Sequence, residues 1–427
     1  MRELRRAALV LLGLASALAI AGCGSSASGG PPTLNWYVFN EPSGSFKQAA
    51  AKCTAQSHGQ YKIQVQPLPT DADQQRELIV RRLAAKDSSV DIIGMDVIWT
   101  AEFAQAGWIQ PWTGALAQQA TQGDLPGPLQ TARYKGKLFA APFTSNAQML
   151  FYRKDRVKTP PTTWDEMLAD AKRIGANGKI QAQGARYEGL TVWFNSLVNS
   201  AGGTILAPNG VDVSLGPPAV KAAAIIKDLA SSPAADPALE NNKEDDARLG
   251  FEKGTSSFEV NYTFAWASAN DAVTKAPDAA TKQKAIQFRS SIGFARWPGV
   301  YPNRPSRVTL GGINLGVGSY GKHRAAAFQA ALCLRQPVNQ IPASIKGGLL
   351  PTTASLFDNA ELKKAFPFTA ILKAELANGV ARPVTPFYSD ISQAIQKSLH
   401  PERSIDPGPT ISDMKSKLDK AKKGELF

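Results

Sequence analysis

From residue 34 to residue 96 the chain alternates short β-branched or aromatic runs with amphipathic helical stretches, and that alternation admits few folds. Residues 34–39, 61–67 and 90–95 read as strands, with 45–56 and the arginine-rich stretch 72–85 as the helices between them. Strands joined in this way share one α/β sheet, and ligands of open α/β sheets gather outside the carboxyl ends of the strands. Asn40 and Glu41 follow the first strand and Asp96 ends the third, so these polar side chains are expected to face one crevice. Further along, Thr163 stands after two prolines and before Trp164, Asp165 and Glu166, which predicts a helix start with an N-cap hydroxyl and an acidic first turn. Residues 192–198, 257–262 and 291–295 read as buried or crossing strands, and 325–334 as an alanine-rich helix. A chain of 427 residues exceeds one ordinary core, so two domains are expected.

The amino terminus sets the compartment. Arg2, Arg5 and Arg6 precede an uncharged apolar run, 7–21, that closes on Gly22 and Cys23. The run falls short of the ~20 residues a membrane-spanning helix needs, so residues 1–22 read as a signal peptide. The stretch AIAGC at 19–23 is similar to a bacterial lipobox, whose cysteine takes a diacylglyceryl group. Lipid on Cys23 would hold the protein at the outer face of the cell membrane, with 23–32 as a Gly, Ser, Ala and Pro tether. Cys53 and Cys333 are then left over, and a compartment outside the cytoplasm permits a disulfide between them, which would put both segments in one lobe. The alternative is two buried thiols that never meet.

Net charge is +13, yet the lysines and arginines are spread along the chain with no basic cluster interleaved with aromatics. In an exported protein that pattern is a solvated surface near anionic lipid or cell wall, with no nucleic acid as partner. A hydrophobic content of 43% argues against disorder. The three histidines, His58, His323 and His400, are isolated, and there is no Gly-x-Ser-x-Gly elbow, Walker loop or paired-cysteine motif. No catalytic residue, metal or cofactor is expected. Two readings of other classes stay open: an exported glycoside hydrolase drawing its carboxylate pair from Glu41, Asp96 and Glu244, and a lipid-anchored sensor that reports sugar to a receptor.

Longer motifs are more specific. The run DVIWTAEFAQAGW at 96–108 resembles the marker of family 1 extracellular solute-binding proteins of sugar importers. Other blocks agree in order: KLFAAPFTSN at 137–146, FYRKD at 151–155, PPTTWDE at 160–166, EGLTVWFNSL at 188–197, ARLGFE at 247–252, EVNYTF at 259–264, GGIN at 311–314, GGL at 347–349 and RPVTP at 382–386. The likeness covers nearly all of the mature chain, and within the family the chain resembles the mycobacterial trehalose-binding lipoproteins.

The resemblance implies a two-lobed periplasmic-binding-protein-like α/β fold with a multi-crossing hinge, the ligand being held between lobes that close on it. Lobes of 33–145 plus about 288–340, and of 146–287 plus about 341–427, are expected. It implies a disaccharide ligand, trehalose first and maltose or a related sugar second, delivered by a monomer to ABC permease subunits with a cytoplasmic ATPase. The family's sugar contacts match at Asp96, Asn146, Glu244, Tyr262 and Arg382, with a backbone contribution near Gly348 and Leu349. The loop at Asn40 and Glu41 aligns more loosely, and Tyr262 stands where the trehalose binders have Trp.

These residue types suit a sugar on physical grounds as well. Carboxylates accept from vicinal hydroxyls, Arg382 donates as a planar fork and Asn146 does both. Tyr262, Phe264 or Trp193 would cover a ring face. Trp99 and Trp108 are assigned to the core. Replacing Asp96 by Ala is expected to weaken sugar binding severely without unfolding the protein; near-normal affinity in a calorimetric titration would remove Asp96 from the site.

Overall fold

The computed structural model describes residues 30–69, 71–423 and 425, so the signal segment and Cys23 lie outside the described residues. Strands Thr33–Phe39, Lys62–Leu68 and Ile92–Asp96 form, as the alternation predicts, a parallel set with Thr33–Phe39 in the middle. The sheet continues antiparallel beyond Ile92–Asp96 through Leu310–Val317 and Ala140–Ala147 to the short edge strand Leu350–Pro351, six strands in all. Its buried face carries Trp36, Val38, Ile92, Phe143 and Leu315, packed with Phe46 of helix Ser45–Gln56. Gly94 is required there, since a Cβ would stand 2.4 Å from Cγ2 of Val38 on the neighbouring strand.

A second, four-stranded sheet holds Ile292–Ala295, Met149–Arg153, Ser256–Asn261 and Lys179–Gln181 in that order. Helices Glu188–Ser200, Pro217–Ala230, Tyr388–Leu399 and Pro407–Ala421 pack into its core through residues such as Phe194, Ile226, Ile395 and Met414. The first core draws on residues from Leu34 to Phe143 and again from Ile313 to Ala343, whereas the second is built mainly from residues between Ala147 and Ala421. The architecture is therefore two α/β lobes. No helix among the described residues is long and apolar enough to cross a membrane.

The chain passes between the sheets three times. Strand Ala140–Ala147 of the first sheet gives way to Met149–Arg153 of the second with Gln148 alone between them. Leu310–Val317 returns to the first sheet, and the chain leaves it again after Leu350–Pro351. The stretch 288–340 thus does not belong wholly to the first lobe, because Ile292–Ala295 pairs with Met149–Arg153 in the second sheet. A short buried strand reads the same from sequence whichever sheet it joins.

Two local expectations have different outcomes. Thr163 caps helix Trp164–Ile174 as predicted, its hydroxyl accepting from the Glu166 N–H at 3.2 Å while the Glu166 carboxylate accepts from the Thr163 N–H. Residues 192–198, expected as a strand, lie inside helix Glu188–Ser200, in which every residue except Asn199 is buried. A helix surrounded by core on all sides shows no apolar stripe, so its sequence has the look of a buried strand. Cys53 and Cys333 form a disulfide that ties helix Ser45–Gln56 to helix Arg324–Leu334, both in the first lobe.

Two buried glutamates give stability a pH dependence. Glu259 on strand Ser256–Asn261 and Glu402 are almost wholly out of water, and burial pushes each carboxyl up to about 8. Each holds a proton in the folded chain that the unfolded chain releases near its ordinary value of about 4.3. Their contribution to stability is therefore full below about pH 4.5, falls as pH rises toward 8 and is flat above. Glu402→Gln is expected to be more stable than the wild type by a few kcal/mol at pH 8.5, with the difference shrinking toward pH 5. Denaturant midpoints across that range check it, and a gap that stays constant with pH contradicts it.

Candidate functional site

Asp96 ends the third strand, and its Oδ1 accepts from the Ile98 N–H at 3.2 Å, turning the chain into the short helix Val97–Trp99. The same oxygen accepts from Nη2 of Arg382 at 2.8 Å. Arg382 comes from the other end of the sequence, on the segment between helices Thr369–Asn378 and Tyr388–Leu399, and its side chain is almost fully buried. Its Nη1 donates at 2.8 Å to Oε1 of Glu188, the first residue of helix Glu188–Ser200 in the second lobe. One guanidinium thus joins a carboxylate of the first lobe to a carboxylate of the second. Around this point Val97, Ile98 and Ala101 face Arg382, Pro383 and Val384 across a gap of only about 10 Å³.

Glu188 is held from behind, receiving the Tyr388 hydroxyl on Oε1 and the Ser392 hydroxyl on Oε2 at 2.6 Å. Burial raises its pKa against the pull of Arg382 and the two hydroxyls. Burial alone would lower the Arg382 value, but Asp96 and Glu188 carry it well above its ordinary range. The guanidinium is therefore a permanent cation, and its Nε–H finds no acceptor among the described residues.

Glu244 and Tyr262 are brought together by Asn261. The Asn261 amide donates to the Glu244 backbone carbonyl at 2.9 Å, while its carbonyl accepts from the Tyr262 N–H at 2.9 Å. Burial and then the Glu244 charge raise the pKa of Tyr262, which also feels Arg382, Asp96 and Glu188. Burial likewise raises Glu244, and the Tyr187 phenol beside it rises for the same reason. Lys243 lies 5.1 Å above the Tyr187 ring and reaches Oδ2 of Asp71 at 3.1 Å, on the cap of helix Ala72–Ala84 in the first lobe.

Asn146 pairs with Gly311 near the end of its strand, and Leu350 pairs with Ser145, which sets Leu349 close to Asn146. The Gly348 carbonyl accepts from the Thr263 hydroxyl, and a Cβ on Gly348 would come within 2.8 Å of the Phe264 backbone, so only glycine permits this approach. Asn40 is exposed, whereas Glu41 is buried with its oxygens already accepting from the Ser43 N–H at 2.6 Å and the Ser45 N–H at 2.9 Å.

Asp96, Arg382, Glu244 and Tyr262 thus form one electrostatically linked group. Trp193 is core, packed on Trp164 with ring centroids 5.3 Å apart, and Trp99 is core as expected. Sequence reasoning missed Glu188, Tyr187 and Lys243. Glu188 opens one of the quoted blocks, but an acid in the first turn of a helix reads as a solvated, dipole-favoured residue, and nothing local discloses that a distant arginine is its partner.

Removing that arginine strands Glu188 in the interior. Arg382→Met is expected to cost about 3–5 kcal/mol of stability. Arg382→Lys should recover only part of the loss, because an ammonium lacks the fork that reaches both carboxylates. Chemical unfolding of the three proteins measures this, and a Met variant as stable as the wild type contradicts the arrangement.

A family model described as bacterial extracellular solute-binding protein matches residues 40–340. A probable ABC transporter-binding protein of Deinococcus radiodurans is 28% identical over 382 residues, covering 84% of this chain and 86% of the relative. Among solved structures, maltose-bound MalE3 of T. maritima superposes with a TM-score of 0.77 at 26% identity, over 90% of this chain and 98% of that one. The GacH receptor of Streptomyces glaucescens, solved unliganded and with acarbose, superposes with a TM-score of 0.76 at 21% identity, over 92% of this chain and 99% of that one, and it supports the fold alone. These neighbours are binding proteins, not enzymes. With the family model matching well over half of the chain, residues 40–340, the chain belongs to the bacterial extracellular solute-binding protein family.

Proposed function

We propose that the chain is the substrate-binding lipoprotein of an ABC sugar importer, tethered by lipid on Cys23 outside the cytoplasmic membrane, and that it delivers a disaccharide to membrane permeases. The single observation that carries this reading is the convergence of Asp96, Glu244, Tyr262 and Arg382 on one seam between two lobes. A disaccharide offers many hydroxyls and a weakly apolar ring face. Carboxylates, a guanidinium fork and the Asn146 amide answer the first, and Tyr262 or Phe264 the second. Because the contacts come from both lobes, ligand favours the closed form, and that population shift is what permeases would read.

Trehalose is the ligand we favour, on the likeness of the sequence blocks. Maltose is the second reading, supported by the maltose-bound T. maritima relative. Calorimetric titration of the body beginning after Cys23 with trehalose, maltose, sucrose and glucose decides between them. Trehalose is expected to bind most tightly. A preference for maltose would keep the importer reading and replace the ligand, and silence toward all four would overturn the sugar assignment. For the anchor, Cys23→Ser is expected to abolish acylation, read as the loss of the lipid mass from membrane-extracted protein.

A further inference from the structure

An arginine in a binding cleft ordinarily recruits anions. Here the cation is already occupied on both sides, by Asp96 at 2.8 Å and by Glu188 at 2.8 Å. The two partners differ in kind. Asp96 keeps about a quarter of its side chain accessible and stands in the first lobe, where a ligand can compete for it. Glu188 keeps only 11% of its side chain accessible, and the hydrogen bonds it receives from Arg382, Tyr388 and Ser392 are those of an acceptor-only carboxylate. Ser392 is itself fixed by the Gln396 amide at 3.0 Å and the Thr191 hydroxyl at 2.8 Å, so the support behind Glu188 extends into two helices.

We propose that Glu188 is the positioning and charge-setting residue of the sugar site: it acts through Arg382, cancels the guanidinium charge from behind, and thereby confines the site to uncharged sugars. The inference rests on the sugar-binding reading above and deepens it. Glu188 touches no ligand. It aims the fork so that Nη2 meets Asp96 and Nε–H is left without a protein acceptor. With Glu188 ionised, Arg382 and its two carboxylates carry one surplus negative charge, to which the neighbouring Glu244 adds further acidic character. A phosphorylated or uronic sugar would bring a second negative charge beside an arginine already committed to two carboxylates, whereas a neutral polyol exchanges only hydrogen bonds. Neutralising Glu188 removes that surplus.

The test compares trehalose with trehalose 6-phosphate, or maltose with maltobionate if maltose is the sugar the wild type takes. Wild type is expected to prefer the neutral member at least a hundred-fold. In Glu188→Gln, nearly isosteric, the neutral sugar should bind several-fold more weakly and the preference over the anion should narrow at least ten-fold. Glu188→Asp, which keeps the charge, should restore discrimination even where affinity stays reduced. A loss of packing alone would weaken both ligands together and leave the ratio unmoved. A folded Glu188→Gln protein with wild-type discrimination overturns the proposal. If that variant does not fold, Tyr388→Phe with Ser392→Ala strips the carboxylate of its hydroxyl donors instead; a narrowed preference for the neutral sugar over the anion supports the proposal, and an unchanged ratio overturns it. Wild-type silence toward every sugar would instead remove the reading on which the inference stands, so the two failures are distinguishable.

Discussion

The contact on which the arrangement depends is a buried guanidinium shared by carboxylates of two lobes. Bringing three ionised groups into a region of low dielectric costs several kcal/mol of lost hydration for each, and mutual attraction offsets this only when the geometry is good. Arg382 meets that condition with two separate nitrogens at 2.8 Å, and the Tyr388 and Ser392 hydroxyls complete the shell of Glu188. The interaction contributes specificity of arrangement more than stability. Hydrophobic side chains of similar volume would hold the lobes together as firmly, but they would leave nothing polar for a ligand to engage.

The same logic separates the two halves of the site. Glu244 and Tyr262 are organised by Asn261, a side chain on the second sheet, and would keep their relation to each other in any lobe arrangement. Asp96 and Arg382 belong to different bodies, so their distance measures how far the lobes have closed. The pair between Lys243 and Asp71 also spans the lobes, but it is half-exposed, and a pair of that kind contributes less than about 1 kcal/mol. On the proposed reading, the site would combine a prebuilt half with a half that closure assembles.

Much of this was legible in the sequence, for identifiable reasons. The first three strands obey local patterning, the Thr163 cap is a four-residue signature, and Cys53 with Cys333 was the natural pair once Cys23 was set aside. What was hidden depends on long-range partners. Glu188 and Arg382 are separated by 194 positions, and neither has a local pattern that names the other. Residues 192–198 were misread because total burial erases the helical stripe, and Ile292–Ala295 because β propensity does not say which sheet a strand will join. Glu41 was expected at the crevice as an acceptor, yet its carboxylate also closes its own loop through Ser43 and Ser45, a use visible only in three dimensions.

Gln148, alone between two strands of different sheets, bears on how the molecule moves. Its side chain is buried and its amide donates at 2.7 Å to Gln183, which in turn donates to the Val260 carbonyl, so this junction is clamped to the second lobe. Asn146 lies two residues away on the first-lobe side. Rotation about so short a junction swings the far rim of the cleft through a wide arc while Asn146 hardly travels. A sugar seated against Asn146 would rest near the fulcrum, where a small rotation at the ligand becomes a large displacement at the far rim.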